Sequence, residues 1–172
     1  MDKELFLAIS NKLSATFADD PKKVWIDFWN NQIDEPNTKS YPLFVPAVFI
    51  EIQETVYNEL YEGVQRGDVS IVIHIVQEHY SDTYAGNPDQ ARALEIFDFT
   101  KRVYLAIQDL SGTNFTPLER TSQRLQERFD RIVKHEIRFK TFVEDVSKKL
   151  DNDTKSRKVN PDIYPFHIDK IR

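Results

Sequence analysis

The stretch Gly63-Val64-Gln65-Arg66-Gly67-Asp68-Val69-Ser70-Ile71-Val72-Ile73-His74-Ile75-Val76 decides the fold. Its second half has β-branched residues at the alternate positions 69, 71, 73 and 75, so a strand would direct these side chains to one face. Because β-branched residues favour strands, we predict that this segment is the centre of a sheet. The glycines at 63 and 67 are predicted to form the preceding turn, since glycine adopts positive φ without a steric penalty.

The totals indicate one globular domain. The chain has 172 residues, of which 40% are hydrophobic and 30% charged, a composition that is neither disordered nor membrane-spanning. It contains no cysteine, which excludes disulfides and thiolate metal sites. Synthesis in the cytoplasm is the expectation. No cofactor is predicted.

Charge is unevenly distributed along the chain. The formal net charge is −5, with −9 on residues 1–116 and +4 on residues 117–172. Opposite charges at the two ends suit self-association between unlike faces, or a face turned toward a polyanion.

The elements before the central strand are predicted as a helix and two strands. Apolar residues recur at helical spacing over residues 2–17, and Pro21 follows the helix. Residues 24–29 and 47–52 are rich in aromatic and β-branched side chains and are predicted strands. Residues 53–62 fit either a short helix or an irregular edge, and the pattern does not choose between them.

After the central strand, Asn87-Pro88-Asp89-Gln90 is typical of a helix start, and Ser111-Gly112 predicts its end near residue 110. Two extended stretches follow, at 115–126 and 131–143. The fold class is therefore α+β, with a mainly antiparallel sheet of about four to five strands and two helices packed on it. We predict a compact domain over residues 1–145 and an extended C-terminal arm over 146–172.

Several motifs that suggest chemistry have simpler explanations. Arg66-Gly67-Asp68 is interpreted as turn residues before a strand. His74, Glu78 and His79 superficially match a zinc motif, but the segment is a predicted strand and lacks the helical face that the motif requires. No catalytic constellation is found, and the chain is predicted not to be an enzyme.

A basic cluster on the last two strands is the strongest candidate site. Arg120, Arg124 and Arg128 would share one face if their strand were unbroken. Such a cluster is either an ordinary solvated face or a surface for DNA phosphates or an acidic neighbour, and any DNA contact would be non-specific. The candidate contact residues are Arg120, Arg124, Arg128, Arg131, Lys134, Arg138 and Lys140.

Four short strings, in this order, carry a resemblance to a known family. They are Pro46-Ala47-Val48-Phe49-Ile50-Glu51-Ile52, Gly63 to Val69, Asn87 to Gln90, and Phe115-Thr116-Pro117-Leu118-Glu119-Arg120-Thr121. Over residues 1–145 the chain resembles phage tail-terminator or tail-completion proteins, which form rings at the head–tail junction.

The resemblance implies a structural protein of the virion, made in the host cytoplasm, that acts by contacts and not by catalysis. It implies a hexameric or dodecameric homo-oligomeric ring around the DNA channel, with portal or connector and tail proteins as neighbours and no membrane. Unlike charged faces would then meet between subunits.

The C-terminal region departs from the family pattern. Its cluster Ile163, Tyr164, Pro165 and Phe166 is a candidate docking arm for an adjacent subunit, by analogy with segments that become ordered on binding. The alternative function is a cytoplasmic accessory protein that contacts nucleic acid through the basic hairpin.

Overall fold

The structure of the protein is a computed structural model. It describes residues 2–31, 33, 44–61, 63–78, 83–127 and 132–151. The helices and strands follow one another in the predicted order. The elements are α1 (Asp2–Thr16), β1 (Trp25–Phe28), β2 (Ala47–Tyr61), β3 (Val64–Glu78), α2 (Gln90–Ile107), β4 (Glu119–Glu127) and β5 (Ile132–Asp145). Residues 147–151 are also helical.

The five strands form one sheet in the order β1-β2-β3-β5-β4. Only the β1–β2 pair is parallel, and the other three pairs are antiparallel. The predicted α+β class and the mainly antiparallel sheet are confirmed. The two outer strands, β1 and β4, pair with different lengths of their neighbours. β1 pairs only with residues 47–50 of β2, whereas β4 pairs with most of β5.

The central position of β3 is confirmed. It pairs with β2 on one side and with β5 on the other, and Ile71, Ile73 and Ile75 are fully buried. Their alternation places them on the face that the helices cover. Long antiparallel ladders on both sides satisfy the backbone of β3 along its length, which makes it the most protected strand of the sheet.

Both helices pack on one face of the sheet. Leu5, Ile9 and Leu13 of α1 recur at helical spacing and are buried against this face. Val103 and Ile107 of α2 join the same core. The opposite face carries a smaller apolar cluster of Trp29, Ala47, Phe49 and Val76, together with the charged side chains described below.

The β2–β3 hairpin is longer than predicted. Residues 53–61 continue β2 as a strand, with a register shift between Ile52 and Thr55. Only Gly63 lies in the turn, with φ of +75°. Gly67 and the Arg66-Gly67-Asp68 tripeptide lie inside β3, so the prediction that they form a turn was wrong.

Close packing explains the glycine at position 67. A Cβ atom there would stand 2.7 Å from Thr55 Cγ2, 2.8 Å from Tyr57 Cε1 and 2.9 Å from Val143 Cγ2. These separations are shorter than packed carbon atoms adopt. Glycine therefore lets the neighbouring strands β2 and β5 place side chains over β3 at this point.

The start of α2 has the predicted capping hydrogen bond, but the helix begins later than the predicted cap residue implies. Asn87 Oδ1 accepts a hydrogen bond from the Asp89 amide at 2.9 Å, as a capping residue does, yet the helix begins at Gln90. The helix ends at Ile107, earlier than predicted, and Asp109 adopts a left-handed conformation with φ of +63° just after it. Phe97 of α2 is 45% exposed.

Residues beyond β5 remain close to the body of the domain. The helical residues 147–151 pass the hairpin turn, where a Cβ on Gly63 would stand 3.2 Å from the Lys149 backbone nitrogen. The chain is thus helical where the predicted extended arm was to begin. The candidate docking residues Ile163, Tyr164, Pro165 and Phe166 lie outside the described residues.

Candidate functional site

The basic residues of the β4–β5 hairpin lie on two faces of the sheet. A register shift between Arg120 and Ser122 reverses the alternation of β4. Arg120 is opposite Phe139 on the helix-covered face, and its guanidinium lies 3.9 Å from the centre of the Tyr104 ring. Arg124 is opposite Glu136 on the other face. The shared face expected for an unbroken strand is therefore not formed.

Glu136 is the centre of an ionic cluster on the helix-free face. Its carboxylate lies 2.7 Å from Arg124 Nη2, 3.2 Å from Lys134 Nζ and 3.8 Å from Arg138 Nη2. Burial alone would raise the pKa of Glu136, but the hydrogen bonds from Arg124 and Lys134 outweigh burial, so the pKa lies below its ordinary value. Glu136 is thus held ionised and surrounded by cations.

His74 extends the cluster toward β2. Its Nε2 lies 2.7 Å from Glu51 Oε2, and its Nδ1 lies 3.5 Å from Glu136 Oε1. The Trp29 ring stacks on the imidazole at a centroid distance of 4.0 Å, and Lys134 Nζ lies 4.4 Å from the centre of the same indole. Burial lowers the pKa of His74 although Glu51 acts in the opposite direction, so the imidazole is neutral at pH 7.

The remaining basic residues of the described hairpin also have intramolecular partners. Lys140 Nζ lies 3.2 Å from Glu119, and the Arg138 guanidinium donates to Gln53 Oε1 at 3.3 Å. Arg128 and Arg131 lie outside the described residues. The structure therefore brings Arg124, Lys134 and Arg138 together, but around a carboxylate, not around an open basic surface.

The metal-like spacings give no site in the described part of the chain. His74 and Glu78 lie on β3, a strand, and His79 is outside the described residues. Within the described ranges, no group of three or more His, Asp or Glu side chains could hold a metal ion.

A second buried imidazole lies under the β4 edge. His135 Nδ1 is 2.7 Å from Thr100 Oγ1, while its Nε2 is buried without a hydrogen-bond partner in the described structure. The ring of Phe97 lies over it at a centroid distance of 5.6 Å, and Leu125 is its neighbour on β4. Burial lowers the pKa of His135, so this imidazole is also neutral.

A cavity of about 440 Å³ lies beside α2, near the ends of β2 and β3. Gln77, in its wall, donates its side-chain amide to the Ile96 carbonyl at 3.1 Å. The charged lining is mixed, and carries as many cations as carboxylates, so it favours neither an anion nor a cation. These charged residues are Lys22, Arg92, Arg102, Glu78, Glu95 and Asp98.

Two exposed surfaces were missed by reasoning from sequence. The first surface is the outer half of β2 and is here named the hairpin patch. Its large apolar side chains are 52–56% exposed. No described strand pairs with the outer edge of β2 beyond residue 50. Its members are Glu54, Val56, Glu59, Leu60 and Tyr61. The only early signal was the ambiguous apolar content of residues 53–62.

The second surface, here named the β4 patch, lies at the opposite side of the sheet. Phe97 and Leu125 are 45% and 46% exposed above His135, and Leu94 lies one turn before Phe97 on α2. Arg120 lies on the same face of β4, over the Tyr104 ring of α2, and no described strand pairs with the outer edge of β4. The β4 patch consists of Leu94, Phe97, Arg120 and Leu125.

Comparison with solved structures finds a distant likeness, whereas the comparisons by sequence find none. No protein-family model matches the sequence, and no curated protein matches it. Among solved structures, the chain is similar to a chain of "Virion of native gene transfer agent (GTA) particle". The likeness covers 82% of this chain and 95% of the other at 12% sequence identity and a TM-score of 0.46. A TM-score of 0.46 does not establish a shared fold.

Neither α1 nor α2 is long and apolar enough to cross a membrane, and the same holds for every helix in the described ranges.

Proposed function

We propose that this chain is a non-enzymatic structural protein of a phage virion, which forms a homo-oligomeric ring at the head–tail junction and joins the portal or connector to the tail around the DNA channel. The observation that carries the proposal is a sheet in which no described strand pairs with the outer edge of β4, or with the outer edge of β2 beyond residue 50. Both edges carry exposed apolar side chains, at Val56 and Leu60 on β2 and at Leu125 on β4.

Open sheet edges with apolar side chains favour association between chains. An edge strand presents unpaired N–H and C=O groups, and proteins ordinarily protect such edges unless a partner covers them. Two unlike edges on opposite sides lead to head-to-tail contacts, and these close into a ring when the rotation between copies allows it. This geometry supports a ring more than a two-fold dimer.

The charge pattern supports assembly more than nucleic-acid binding. Three cations of the candidate basic surface are within 4 Å of Glu136, and Lys140 is paired with Glu119. A cation held by a carboxylate gains less from a phosphate, because the existing pair must first be broken. The alternative, an accessory protein that binds nucleic acid through the basic hairpin, is the less favoured proposal for this reason.

The proposed position in the virion rests on the resemblance of residues 1–145 to tail-terminator and tail-completion proteins. In that setting, the ring would contact the portal or connector on one side and the tail on the other. The basic residues that retain solvent exposure, chiefly Arg124 and Lys140, would face the channel or the adjacent ring.

Size-exclusion chromatography with light scattering, native mass spectrometry and negative-stain imaging test the oligomer. We expect one closed species, a hexamer or a dodecamer, with a central opening. A stable monomer at micromolar concentration that binds DNA with a steep salt dependence would overturn the ring and favour the alternative.

Immunolabelling tests the position separately. Antibodies against this chain, applied to virions that contain it, should label the junction between head and tail. Label on the capsid shell or at the tail tip would contradict the proposed position while leaving the ring intact.

A further inference from the structure

We propose that the hairpin patch is the docking site for the C-terminal segment of a neighbouring copy, which adds residues 163–168 to the outer edge of β2. This inference rests on the proposed ring, and it identifies the segment that joins one copy to the next. Each copy gives its own segment and receives another, which is the head-to-tail arrangement that closes into a ring.

The hairpin patch has the features of a surface that an extended segment covers. Val56, Leu60 and Tyr61 are each more than half exposed, and apolar side chains rimmed by charge are typical of a protein–protein contact site. No described strand pairs with the outer edge of β2 beyond residue 50. Such an edge binds extended segments through main-chain hydrogen bonds, while exposed side chains beside it supply apolar contacts.

The last described residues lie beside this patch. Residues 147–151 are helical and follow the end of β5, where Asp145 pairs with Gln65 near the start of β3. The Lys149 backbone nitrogen would lie 3.2 Å from a Cβ on Gly63, and Lys149 Nζ lies 5.5 Å from the centre of the Tyr61 ring. The helical residues thus lead from β5 past β3 to β2, and the segment after residue 151 starts at the same corner of the sheet as the hairpin patch.

The sequence of the segment suits a strand at the edge of a sheet. Tyr164, Phe166 and Ile168 stand at alternate positions, so an extended chain directs all three to one face. Pro165 has no N–H to donate, and proline is found in strands that pair along one edge only. The segment can therefore pair with β2 through its other edge, and the proline disfavours a further strand outside it.

The spacing of the cluster favours a neighbouring copy over the same copy. A hairpin onto the chain's own β2 needs a connection of only about 2–5 residues. The 11 residues 152–162 precede the cluster, so a strand that continued directly along β2 would bring Ile163 level with residue 50, where β1 already pairs. Fully extended, these residues span about 36 Å, which exceeds the roughly 19 Å between the outer strands of a five-stranded sheet. The cluster can therefore reach the next copy.

Charge makes a secondary contribution to this contact. Residues 152–172 carry five lysines and arginines against three aspartates, and the hairpin patch carries Glu54 and Glu59. The attraction is reduced at one end of the patch, because Lys149 already lies over Tyr61. Apolar burial and main-chain hydrogen bonds therefore supply most of the contact.

Cysteine crosslinking in the full chain tests the contact directly, because the chain has no cysteine of its own. A Leu60→Cys, Phe166→Cys double variant should form disulfides between copies on oxidation, and a denaturing gel should show a ladder of covalent oligomers that ends at the ring size. Leu7→Cys with Phe166→Cys is the matched control, because Leu7 is 42% exposed on α1, outside the hairpin patch. The control should remain monomeric on the gel.

Three results of this experiment would overturn the inference and leave the ring of the original chain standing. An oxidised monomer without free thiols would assign the segment to the β2 edge of its own copy. A ring in which both cysteines stay reduced would assign the contact to other surfaces. A ladder in the control equal to that of the test pair would show that the segment has no preferred site. If the original chain is itself monomeric, the proposed function fails.

Aspartate variants measure how much the contact contributes, with light scattering on dilution as the readout. Phe166→Asp and Leu60→Asp should each raise the concentration at which the ring dissociates by at least about tenfold, the effect of losing one well-buried side chain at a contact. Ser156→Asp adds the same charge to the same segment outside the cluster and should leave that concentration unchanged. Circular dichroism shows whether each variant is folded. A folded Phe166→Asp variant that dissociates at the same concentration as Ser156→Asp would contradict the inference.

Discussion

Replacing Glu136 with glutamine removes the charge on which three cations converge, and the structure allows the cost to be estimated. The side chains of Arg124 and Arg138 are 58% and 40% exposed, so both can turn to water. The side chain of Lys134 is 3% exposed and cannot do so without rearrangement. The cost therefore arises mainly from Lys134.

Removing one partner of a buried ion pair costs about 3–5 kcal/mol. Lys134 keeps its position over the Trp29 ring, a favourable contact for a cation. We therefore expect Glu136→Gln to lower the free energy of unfolding by about 3 kcal/mol, the lower end of that range.

Urea denaturation, followed by tryptophan fluorescence and far-ultraviolet circular dichroism at one fixed protein concentration, measures this difference. Glu119→Gln is the matched control. It removes the exposed partner of Lys140 and should change stability by no more than about 0.5 kcal/mol. A second variant, Lys134→Met with Glu136→Leu, should recover most of the loss, since apolar residues often replace a buried pair without penalty.

Two results would refute this account of the cluster. The first is a Glu136→Gln variant that loses no more stability than Glu119→Gln, which would mean that Lys134 is readily solvated. The second is a Lys134→Met, Glu136→Leu variant that is as unstable as Glu136→Gln, which would assign the cost to lost packing and not to the buried charge of Lys134.

Three further predictions concern the core. Gly67→Ala should lower the free energy of unfolding by about 1–3 kcal/mol, because the added methyl group overpacks the sheet. In an uncrowded strand the same change would stabilise the protein, because glycine weakens a strand, so urea denaturation distinguishes the two effects. Ile73→Ala should cost about 2–5 kcal/mol in the same assay, because the side chain is fully buried at the centre of the sheet. Burial lowers the pKa of both His74 and His135 below the ordinary value of 6.5. As the pH falls below about 6.5, these histidines therefore take up protons in the unfolded chain before they do so in the folded chain. The free energy of unfolding should then decline by up to about 1.4 kcal/mol per pH unit for each histidine. His135→Gln should reduce this slope in denaturation series between pH 7.5 and 5, and an unchanged slope would contradict the role of that imidazole.

Where one periodicity dominates, the sequence was sufficient to predict the fold. The alternation of Val69 to Ile75 identified the central strand, and the apolar spacing from Leu5 to Phe17 identified α1. In both cases, one face of an element is buried against a single core, so the pattern of side chains and the pattern of burial coincide.

Register shifts explain most of what sequence reasoning missed. The shift between Ile52 and Thr55 interrupts the alternation of β2, so its outer half was not recognised as a strand. The shift between Arg120 and Ser122 separates arginines that a regular strand would align. A register shift depends on pairing with a distant strand, and local sequence does not record it.

The ionic cluster was unpredictable for a related reason. The charged residues of β5 alternate with apolar ones, a pattern that indicates a solvated face. Lys134 and Glu136 are instead buried, because Trp29 of the distant N-terminal region packs over this face. The residue types of the candidate site were identified from sequence, but their mutual neutralisation arises from tertiary contacts.

The acidic edge of β2 also has a consequence for chains that have not yet assembled. If two free copies met through their β2 edges, Glu54 and Glu59 of each would be brought beside like charges, and such a pair would separate. Repulsion between these carboxylates would thus oppose dimers in which the β2 strands of two copies pair with each other.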